Sequence, residues 1–233
     1  KHISVVTPNK VANASEYKRY SRIHALAAET GARFYYETNV GAGLPVIGTL
    51  KDLIKSGDKI IKIEAILSGS LNYIFSNCST TKDFATTVKE ARQKGYTEPD
   101  PKIDLAGKDV ARKILILSRE IGCKFNLEDV AVENCLSPES QETQTIDELW
   151  TLLEKYDNQK YTDLFAQAEK DRKHIKYIAT YENGTARTEI KMVDETHPFY
   201  NIKGSDNIIS FTTEHYRTQP LIVIGPGAGA AVT

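Results

Sequence analysis

The sequence predicts a protein of the α/β and α+β classes, in which a short parallel unit precedes a mixed or antiparallel sheet that is covered by helices. Two patterns carry this prediction. Strand, helix and strand segments follow one another within residues 3–40, an order that favours parallel pairing. Later in the chain several short segments rich in β-branched residues occur in succession, and the Glu182-Asn183-Gly184 turn joins two of them as a hairpin.

The parallel unit begins with a β-branched run over residues 3–6, which Pro8 interrupts. A helix is predicted from about Ser15, because apolar side chains then recur at helical spacing, and Gly31 stands where a glycine ends a helix in the left-handed conformation. A second strand is predicted over residues 33–40. Parallel sheets bind ligands at the carboxyl ends of their strands, so we expect chemistry just after the first strand.

The middle of the chain alternates helices with one strand. A glycine turn puts Pro45 at the first position of a helix that runs to Ser56. The segments predicted after it are a strand over residues 59–67 and helices over residues 68–75, 81–94 and 105–121. Residues 96–101 lie between the last two helices and carry two prolines, which exclude regular structure and make this loop rigid.

The last part of the chain is predicted to complete the sheet. The predicted strands cover residues 130–135, 176–180, 186–192, 208–211 and 221–224, and helices are predicted over residues 146–155 and 161–170. The glycine-rich segment 225–231 follows the last strand. A turn of this type lets the backbone approach a phosphate group or begin a helix.

The composition excludes several classes of partner. The sequence has 30 Lys and Arg residues against 31 Asp and Glu residues, so no basic excess is available to bind nucleic acid. No apolar stretch approaches the roughly 20 residues of a membrane helix, so no membrane is expected as a partner. Three cysteines, at spacings that fit neither disulfides nor zinc, predict a reducing, cytoplasmic compartment. Because the single Met is Met192, the chain is predicted to be a piece of a longer product.

One group of acidic and basic residues has a pattern typical of proton-transfer chemistry. Asp109 and Lys113 are four residues apart on a predicted helix and therefore share a face. Glu98 and Asp104 lie just upstream, in and after the proline-stiffened loop. A lysine beside carboxylates can donate a proton to a carbonyl oxygen, and a carboxylate can bind a substrate ammonium. The alternative interpretation is an exposed ion pair that contributes a few tenths of a kcal/mol.

Two further positions could bind ligands. Lys10 follows the first strand, where such sheets bind ligands, although an exposed lysine near a helix start would have the same pattern. Glu37, followed by Gly41 and Gly43, offers one carboxylate and accessible backbone carbonyls, which suits a hard cation. A glycine turn without an ion is the alternative. The five histidines and three cysteines show no metal-ligand spacing and no catalytic partner.

Longer motifs then point to a family. The motifs are VVTPNK at residues 5–10, ETNVGAGLPVI at 37–47, ILSGSLNYIF at 66–75, GYTEPDP at 95–101 and DVARK at 109–113. With them the chain resembles homoserine dehydrogenase over essentially its whole length, and most closely the homoserine dehydrogenase portion of bifunctional aspartokinase/homoserine dehydrogenases. The resemblance implies reversible NAD(P)H-dependent reduction of L-aspartate 4-semialdehyde to L-homoserine, in the biosynthesis of threonine and methionine.

The resemblance also implies roles for the acidic and basic residues. Lys113 is expected to protonate the alkoxide that develops when hydride arrives, and Asp109 to orient both Lys113 and the substrate. Glu98 is expected to bind the substrate ammonium, with Asp104 also in the substrate site. Lys10 would lie between cofactor and substrate and act in catalysis.

Cofactor and cation sites are implied in the same way. The expected cofactor is NADP or NAD, and the residues expected to contact it are Asn9, Lys10, Gly95 and Gly229. A monovalent cation, usually sodium in this family, is expected on the Glu37 side chain and the backbone carbonyls of Val40, Ala42 and Leu44.

A domain plan follows from the resemblance. Remnants of a Rossmann nucleotide-binding domain are expected at residues 1–38 and 224–233. The dimerisation region of a homodimer or larger homo-oligomer is expected at residues 39–51 and 176–223. The catalytic, substrate-binding domain is expected at residues 52–175. Because the family's first Rossmann strand and phosphate loop would precede residue 1, this segment alone is expected to have low activity. The alternative is a non-catalytic dimerisation or regulatory module of a larger protein.

Overall fold

The computed structural model describes residues 3–227, which form a small parallel sheet and a larger mixed sheet with helices packed on it. The strands are β1 (Val5–Val6), β2 (Phe34–Tyr35), β3 (Ile60–Ile66), β4 (Val130–Val132), β5 (His174–Glu182), β6 (Thr185–Val193), β7 (Asp206–Thr213) and β8 (Leu221–Pro226). The helices are α1 (Tyr17–Thr30), α2 (Val46–Lys55), α3 (Gly69–Asn77), α4 (Phe84–Gln93), α5 (Lys102–Leu105), α6 (Lys108–Glu120), α7 (Pro138–Gln141), α8 (Ile146–Leu152) and α9 (Asn158–Lys170). Short 3₁₀ turns cover Glu37–Asn39 and Leu127–Asp129.

The predicted parallel unit is confirmed, but its second strand is shorter than expected. β1 and β2 pair in parallel through Val5 with Phe34 and Val6 with Tyr35. The predicted strand over residues 33–40 is wrong beyond Tyr35. The chain turns there into the 3₁₀ segment Glu37–Asn39, because the Glu37 carboxylate accepts hydrogen bonds from backbone N–H groups at the start of α2.

The larger sheet has six strands in the order β4-β6-β5-β3-β7-β8. Its neighbouring strands are antiparallel except β4 and β6, which are parallel, so the sheet is mixed. The predicted hairpin is confirmed: Glu182 pairs with Thr185 across the turn. Asn183 and Gly184 both have positive φ angles, 50° and 75°, as the tightest hairpin turn requires.

Two predicted helix boundaries are wrong for identifiable reasons. The predicted helix over residues 105–121 is divided into α5 and α6 at Gly107, which has φ 69°. The predicted gap between residues 155 and 161 is absent, because a π-helical segment over Leu153–Asp157 joins α8 to α9. The buried Asp157 holds this segment through hydrogen bonds from Ser137 and Ser140.

The main core lies between the larger sheet and its helices. Ile63 and Ala65 of β3 point into it and pack with buried residues of α3 and α6, such as Leu71 and Ile114. The opposite face of the sheet has a smaller apolar cluster at one end, which consists of Ile66, Ile178, Val193, Phe199, Ile202 and Ile208. Within residues 3–227, no helix is long and apolar enough to cross a membrane.

Candidate active site

The structure brings Lys10, Asp109 and Lys113 into one ion-pair cluster. Asp109 lies in the first turn of α6, and Lys113 lies one turn later on the same face. The Asp109 Oδ2 atom is 2.8 Å from the Lys113 Nζ atom, and its Oδ1 atom is 3.3 Å from the Lys10 Nζ atom. One carboxylate therefore joins the loop after β1 to the helix that carries the predicted proton donor.

Electrostatics keep the Asp109 carboxylate charged. Burial alone would raise the pKa of Asp109, but the ammonium groups of Lys113 and Lys10 outweigh this effect and hold the pKa below its usual value. A charged Asp109 can therefore orient a lysine ammonium without competing for its proton at neutral pH.

Lys113 is fixed by a second contact at the end of the central strand β3. Its side chain is 18% exposed, and its Nζ atom donates a hydrogen bond to the Leu67 carbonyl oxygen at 2.7 Å. An ammonium group has three protons. Asp109 and Leu67 accept two of them, and within residues 3–227 the third has no acceptor. This proton is available to a bound substrate.

Asp104 is hydrogen-bonded to the residues that follow Leu67. The Ser70 hydroxyl donates to the Asp104 Oδ1 atom at 2.8 Å, and the Ser68 and Ser70 hydroxyl oxygens are 2.9 Å apart. Segment 67–70 therefore contacts both Lys113 and Asp104. Ser68 and Ser70 were not among the predicted site residues, although a Ser-Gly-Ser pattern at a helix start is a capping signal. Ser68 does cap α3, because its hydroxyl oxygen accepts a hydrogen bond from the Leu71 N–H.

Glu98 and Asp104 are connected through the backbone. The Glu98 N–H donates to the Asp104 Oδ2 atom at 2.9 Å, so both Asp104 oxygens are engaged, while the Glu98 side chain is exposed. The Glu98 carboxylate makes no hydrogen bond or ion pair with any other residue of the range 3–227. Asp104 therefore contacts the Glu98 backbone, whereas the Glu98 carboxylate is exposed and without a partner among residues 3–227.

A pocket of about 280 Å³ opens beside Asp109. It is lined by three cationic side chains, those of Lys102, Lys108 and Arg112. Lys108 and Arg112 were not among the predicted site residues, although their spacing of four residues places them together on α6. Three cations around one mouth make the potential positive there, which favours an anionic group on an incoming ligand.

Three of the four residues predicted to contact the cofactor lie within the described range. The Asn9 Oδ1 atom accepts a hydrogen bond from the Val11 N–H at 2.7 Å, which fixes the turn that carries Lys10. Gly95 follows α4 with φ 73°, and a Cβ atom there would meet nothing within 4 Å, so its surface is open. Gly229 lies outside the described residues.

The predicted cation site has a suitable set of oxygen atoms. Both Glu37 carboxylate oxygens accept a backbone N–H at 2.8 Å, from Ile47 and Gly48, and each oxygen keeps a further lone pair. Between residues 3 and 227, the Val40 and Ala42 carbonyl oxygens accept no hydrogen bond, whereas the Leu44 oxygen accepts one from the Val46 N–H. Carboxylate and carbonyl oxygens fit a hard cation. In the same range no group of three or more His, Cys, Asp or Glu side chains could hold a metal ion.

The sequence matches a known family, and several of its relatives in that family are longer proteins. A sequence profile of homoserine dehydrogenase matches residues 45–233. The chain is 44% identical to the chloroplastic bifunctional aspartokinase/homoserine dehydrogenase 1 of Arabidopsis thaliana, over 99% of the chain and 26% of that protein. It is also 44% identical to the homoserine dehydrogenase of Schizosaccharomyces pombe, over 100% of the chain and 64% of that protein. The chain thus spans about a quarter of the length of its bifunctional relatives.

Solved structures share the fold. A Candida auris protein of unknown function superposes with a TM-score of 0.93 at 40% identity, over 100% of this chain and 66% of that one. A mutant hyperthermophilic archaeal homoserine dehydrogenase in complex with NADPH superposes with a TM-score of 0.70 at 25% identity, over 99% of this chain and 60% of that one.

Proposed function

The chain belongs to the homoserine dehydrogenase family, and we propose that it catalyses the reversible, NAD(P)H-dependent reduction of L-aspartate 4-semialdehyde to L-homoserine. One observation carries this proposal. Lys113 is held by Asp109 and by the Leu67 carbonyl, and one proton of its ammonium remains available. This arrangement suits a group that must deliver a proton to one position and be oriented while it does so.

The proposed mechanism assigns each polar group a task. When bound, the nicotinamide cofactor supplies a hydride to the aldehyde carbon. Lys113 donates a proton to the aldehyde oxygen, which becomes the hydroxyl of homoserine, and Lys113 takes the proton back in the reverse reaction. Asp109 stabilises the charged form of Lys113 before transfer. Lys10, on the other side of Asp109, helps to keep that carboxylate ionised. Lys10 would lie between the cofactor and the substrate.

Substrate selection is proposed to depend on Glu98 and its neighbours. The open Glu98 carboxylate would bind the α-ammonium group, and Asp104 would hold the Glu98 backbone in place through the bond to its N–H. The positive pocket beside Asp109 suits the α-carboxylate of the same substrate.

Cofactor and cation binding are proposed as follows. The NADPH in the archaeal relative's complex supports a nicotinamide cofactor here, with Asn9, Lys10, Gly95 and Gly229 along its path. Sodium would bind the Glu37 carboxylate and the carbonyl oxygens of Val40, Ala42 and Leu44. Such an ion would fix the 40–44 turn relative to α2, because Glu37 is already bonded to that helix.

A homodimer or larger homo-oligomer is proposed, with residues 39–51 and 176–223 as the dimerisation region. The face of the larger sheet opposite the helices belongs to this region and is the proposed contact surface. It carries the alternating charges Lys62, Glu64 and Lys191, with the Lys62 Nζ atom 2.9 Å from Glu64 and the Lys191 Nζ atom 3.7 Å from it. The other domain boundaries and the low activity of the isolated segment stay predictions.

The proposed compartment is the cytoplasm. Cys78, Cys123 and Cys135 are all free, which is consistent with a reducing environment. The plant relatives are named as chloroplastic proteins.

Replacing Lys113 tests the proposed activity. In the full-length protein, Lys113→Met should lower kcat by roughly 10²–10⁴-fold, because it removes the proton donor and leaves the apolar stem. Lys124→Met, an exposed substitution just beyond α6, is the matched control and should keep the normal rate. Circular dichroism should show both variants folded. An unchanged rate in Lys113→Met would support the non-catalytic module instead.

A further inference from the structure

A large cavity lies away from the residues assigned to catalysis. It has a volume of about 1000 Å³ and opens between the ends of α3 and α9, the start of β5 and the segment 194–203. None of its lining residues belongs to the predicted catalytic, cofactor or cation sites. Phe75, Phe165 and Ile202 give it apolar walls. His174 and Tyr200 stack in parallel at its edge, with ring centroids 3.8 Å apart.

Lys176 is a buried cation in the wall of this cavity. The residue is 3% exposed. Its Nζ atom donates to the Ser76 hydroxyl at 3.2 Å and to the Ile202 carbonyl oxygen at 2.5 Å. Two neutral acceptors thus take two of its three protons, and within residues 3–227 no carboxylate forms an ion pair with it. Burial and, to a smaller extent, the nearby charge of Lys203 together lower the pKa of Lys176 to about 8.

Four carboxylates line the cavity, those of Glu169, Asp171, Asp194 and Glu195, and none of them forms an ion pair with Lys176. Other groups engage three of the four. Glu169 accepts a hydrogen bond from the Thr80 hydroxyl at 3.3 Å, and Asp171 accepts one from the Gln167 amide at 2.8 Å. Asp194 accepts bonds from the backbone N–H and the hydroxyl of Thr196. A buried charge without a counter-ion is costly, so a cation in this position calls for an anion from outside the chain.

We propose that this cavity binds a small organic anion with one carboxylate head and a short apolar body, and that the carboxylate pairs with the Lys176 ammonium. The apolar body fits the walls formed by Phe75, Phe165 and Ile202. The Lys176 ammonium has one proton left, which suits a single carboxylate oxygen. The proposal is independent of the proposed dehydrogenase activity.

Butyrate and butyramide form a matched pair of probes, since they differ mainly in charge at the head. Butyrate should raise the thermal unfolding midpoint of the protein in a saturable way, and butyramide should not. Lys176→Met keeps the length of the side chain and should weaken butyrate binding by roughly ten- to a hundredfold, the value of a hydrogen bond to a charged group. Lys173→Met, also at the cavity, is the matched control and should bind butyrate normally.

A labelling experiment keeps the test valid if Lys176→Met does not fold. In the unaltered protein, butyrate should slow acetylation of Lys176 several-fold relative to Lys173, and butyramide should not, as measured by mass spectrometry. If butyrate and butyramide changed the unfolding midpoint and the acetylation of Lys176 equally, the proposed anion site would be refuted. Tighter binding of inorganic phosphate than of butyrate, lost in Lys176→Met, would overturn the carboxylate class.

Discussion

Gly107 should be among the residues least tolerant of substitution, because two independent costs meet there. Its φ angle is 69°, in the left-handed region, where any other residue is strained by about 1–2 kcal/mol. A Cβ atom at this position would also lie 2.1 Å from the Tyr177 hydroxyl oxygen and 3.0 Å from its ring carbon Cζ. Gly107→Ala therefore requires Tyr177 to move.

The cost of moving Tyr177 follows from its contacts. Its hydroxyl donates to the Glu133 carbonyl oxygen at 2.7 Å and lies 2.9 Å from the Thr188 hydroxyl. Losing two hydrogen bonds costs about 1 kcal/mol each, and overpacking a core costs about 1–3 kcal/mol. Together with the backbone strain, Gly107→Ala should lower the free energy of unfolding by about 4–7 kcal/mol.

Gly31→Ala is a matched control for the backbone term. Gly31 has φ 67°, and a Cβ atom there would meet nothing within 4 Å. Gly31→Ala should therefore lower the free energy of unfolding only by the backbone strain of about 1–2 kcal/mol. Any change in the entropy of the unfolded chain is common to both variants and cancels in the comparison.

Equilibrium unfolding in urea, followed by circular dichroism, measures both losses. Adding Tyr177→Phe removes the oxygen that the new Cβ atom would strike, so Gly107→Ala should cost at least about 1 kcal/mol less in that background. Equal destabilisation by Gly107→Ala and Gly31→Ala would refute the reasoning, and so would strictly additive effects of Gly107→Ala and Tyr177→Phe.

Two further outcomes are expected. Asp109→Asn should lower stability at pH 7, and the gap from the unaltered protein should close as the pH falls below about 4. The reason is that the lowered pKa of Asp109 stabilises the fold above the pKa of the unfolded state, and this contribution disappears as the folded carboxyl is protonated. Urea unfolding midpoints of both proteins, at pH 7 and at lower pH, measure this contribution. A difference in stability that stays constant with pH would contradict the prediction. Glu98→Gln should raise KM for aspartate semialdehyde roughly tenfold or more while stability stays unchanged, since its carboxylate has no partner within residues 3–227; steady-state kinetics check this, and an unchanged KM would exclude Glu98 from substrate binding.

Local chemistry explains which features the sequence could predict. Asp109 and Lys113 meet because helical geometry places residues four apart on one face, and the pair is observed at 2.8 Å. The hairpin at Asn183-Gly184 was predictable for the same reason, since the turn depends only on backbone angles that these two residues favour.

Features that depend on distant packing were not predictable. Ser70 contacts Asp104 across 34 positions of sequence, and Lys113 contacts Leu67 across 46, so no periodicity could indicate either bond. The aromatic residues near Tyr35 favour a strand, yet the Glu37 carboxylate binds the start of α2 and turns the chain. Polar residues around Asp157 resemble a helix break, yet bonds from Ser137 and Ser140 keep the helix continuous.

The attachment of segment 67–70 to β3 has a consequence for the dynamics of the site. β3 is paired on both sides, with β5 and β7, so its amide groups should open only when the whole sheet unfolds. Lys113 and Asp104 are hydrogen-bonded to segment 67–70, which directly follows this strand. Lys10, by contrast, follows β1, which in the described range pairs with β2 through two residue pairs. The two halves of the ion-pair cluster thus belong to regions of unequal local stability. We expect faster amide exchange around Lys10 than around Lys113, so ligand entry on the Lys10 side need not disturb the proposed proton donor.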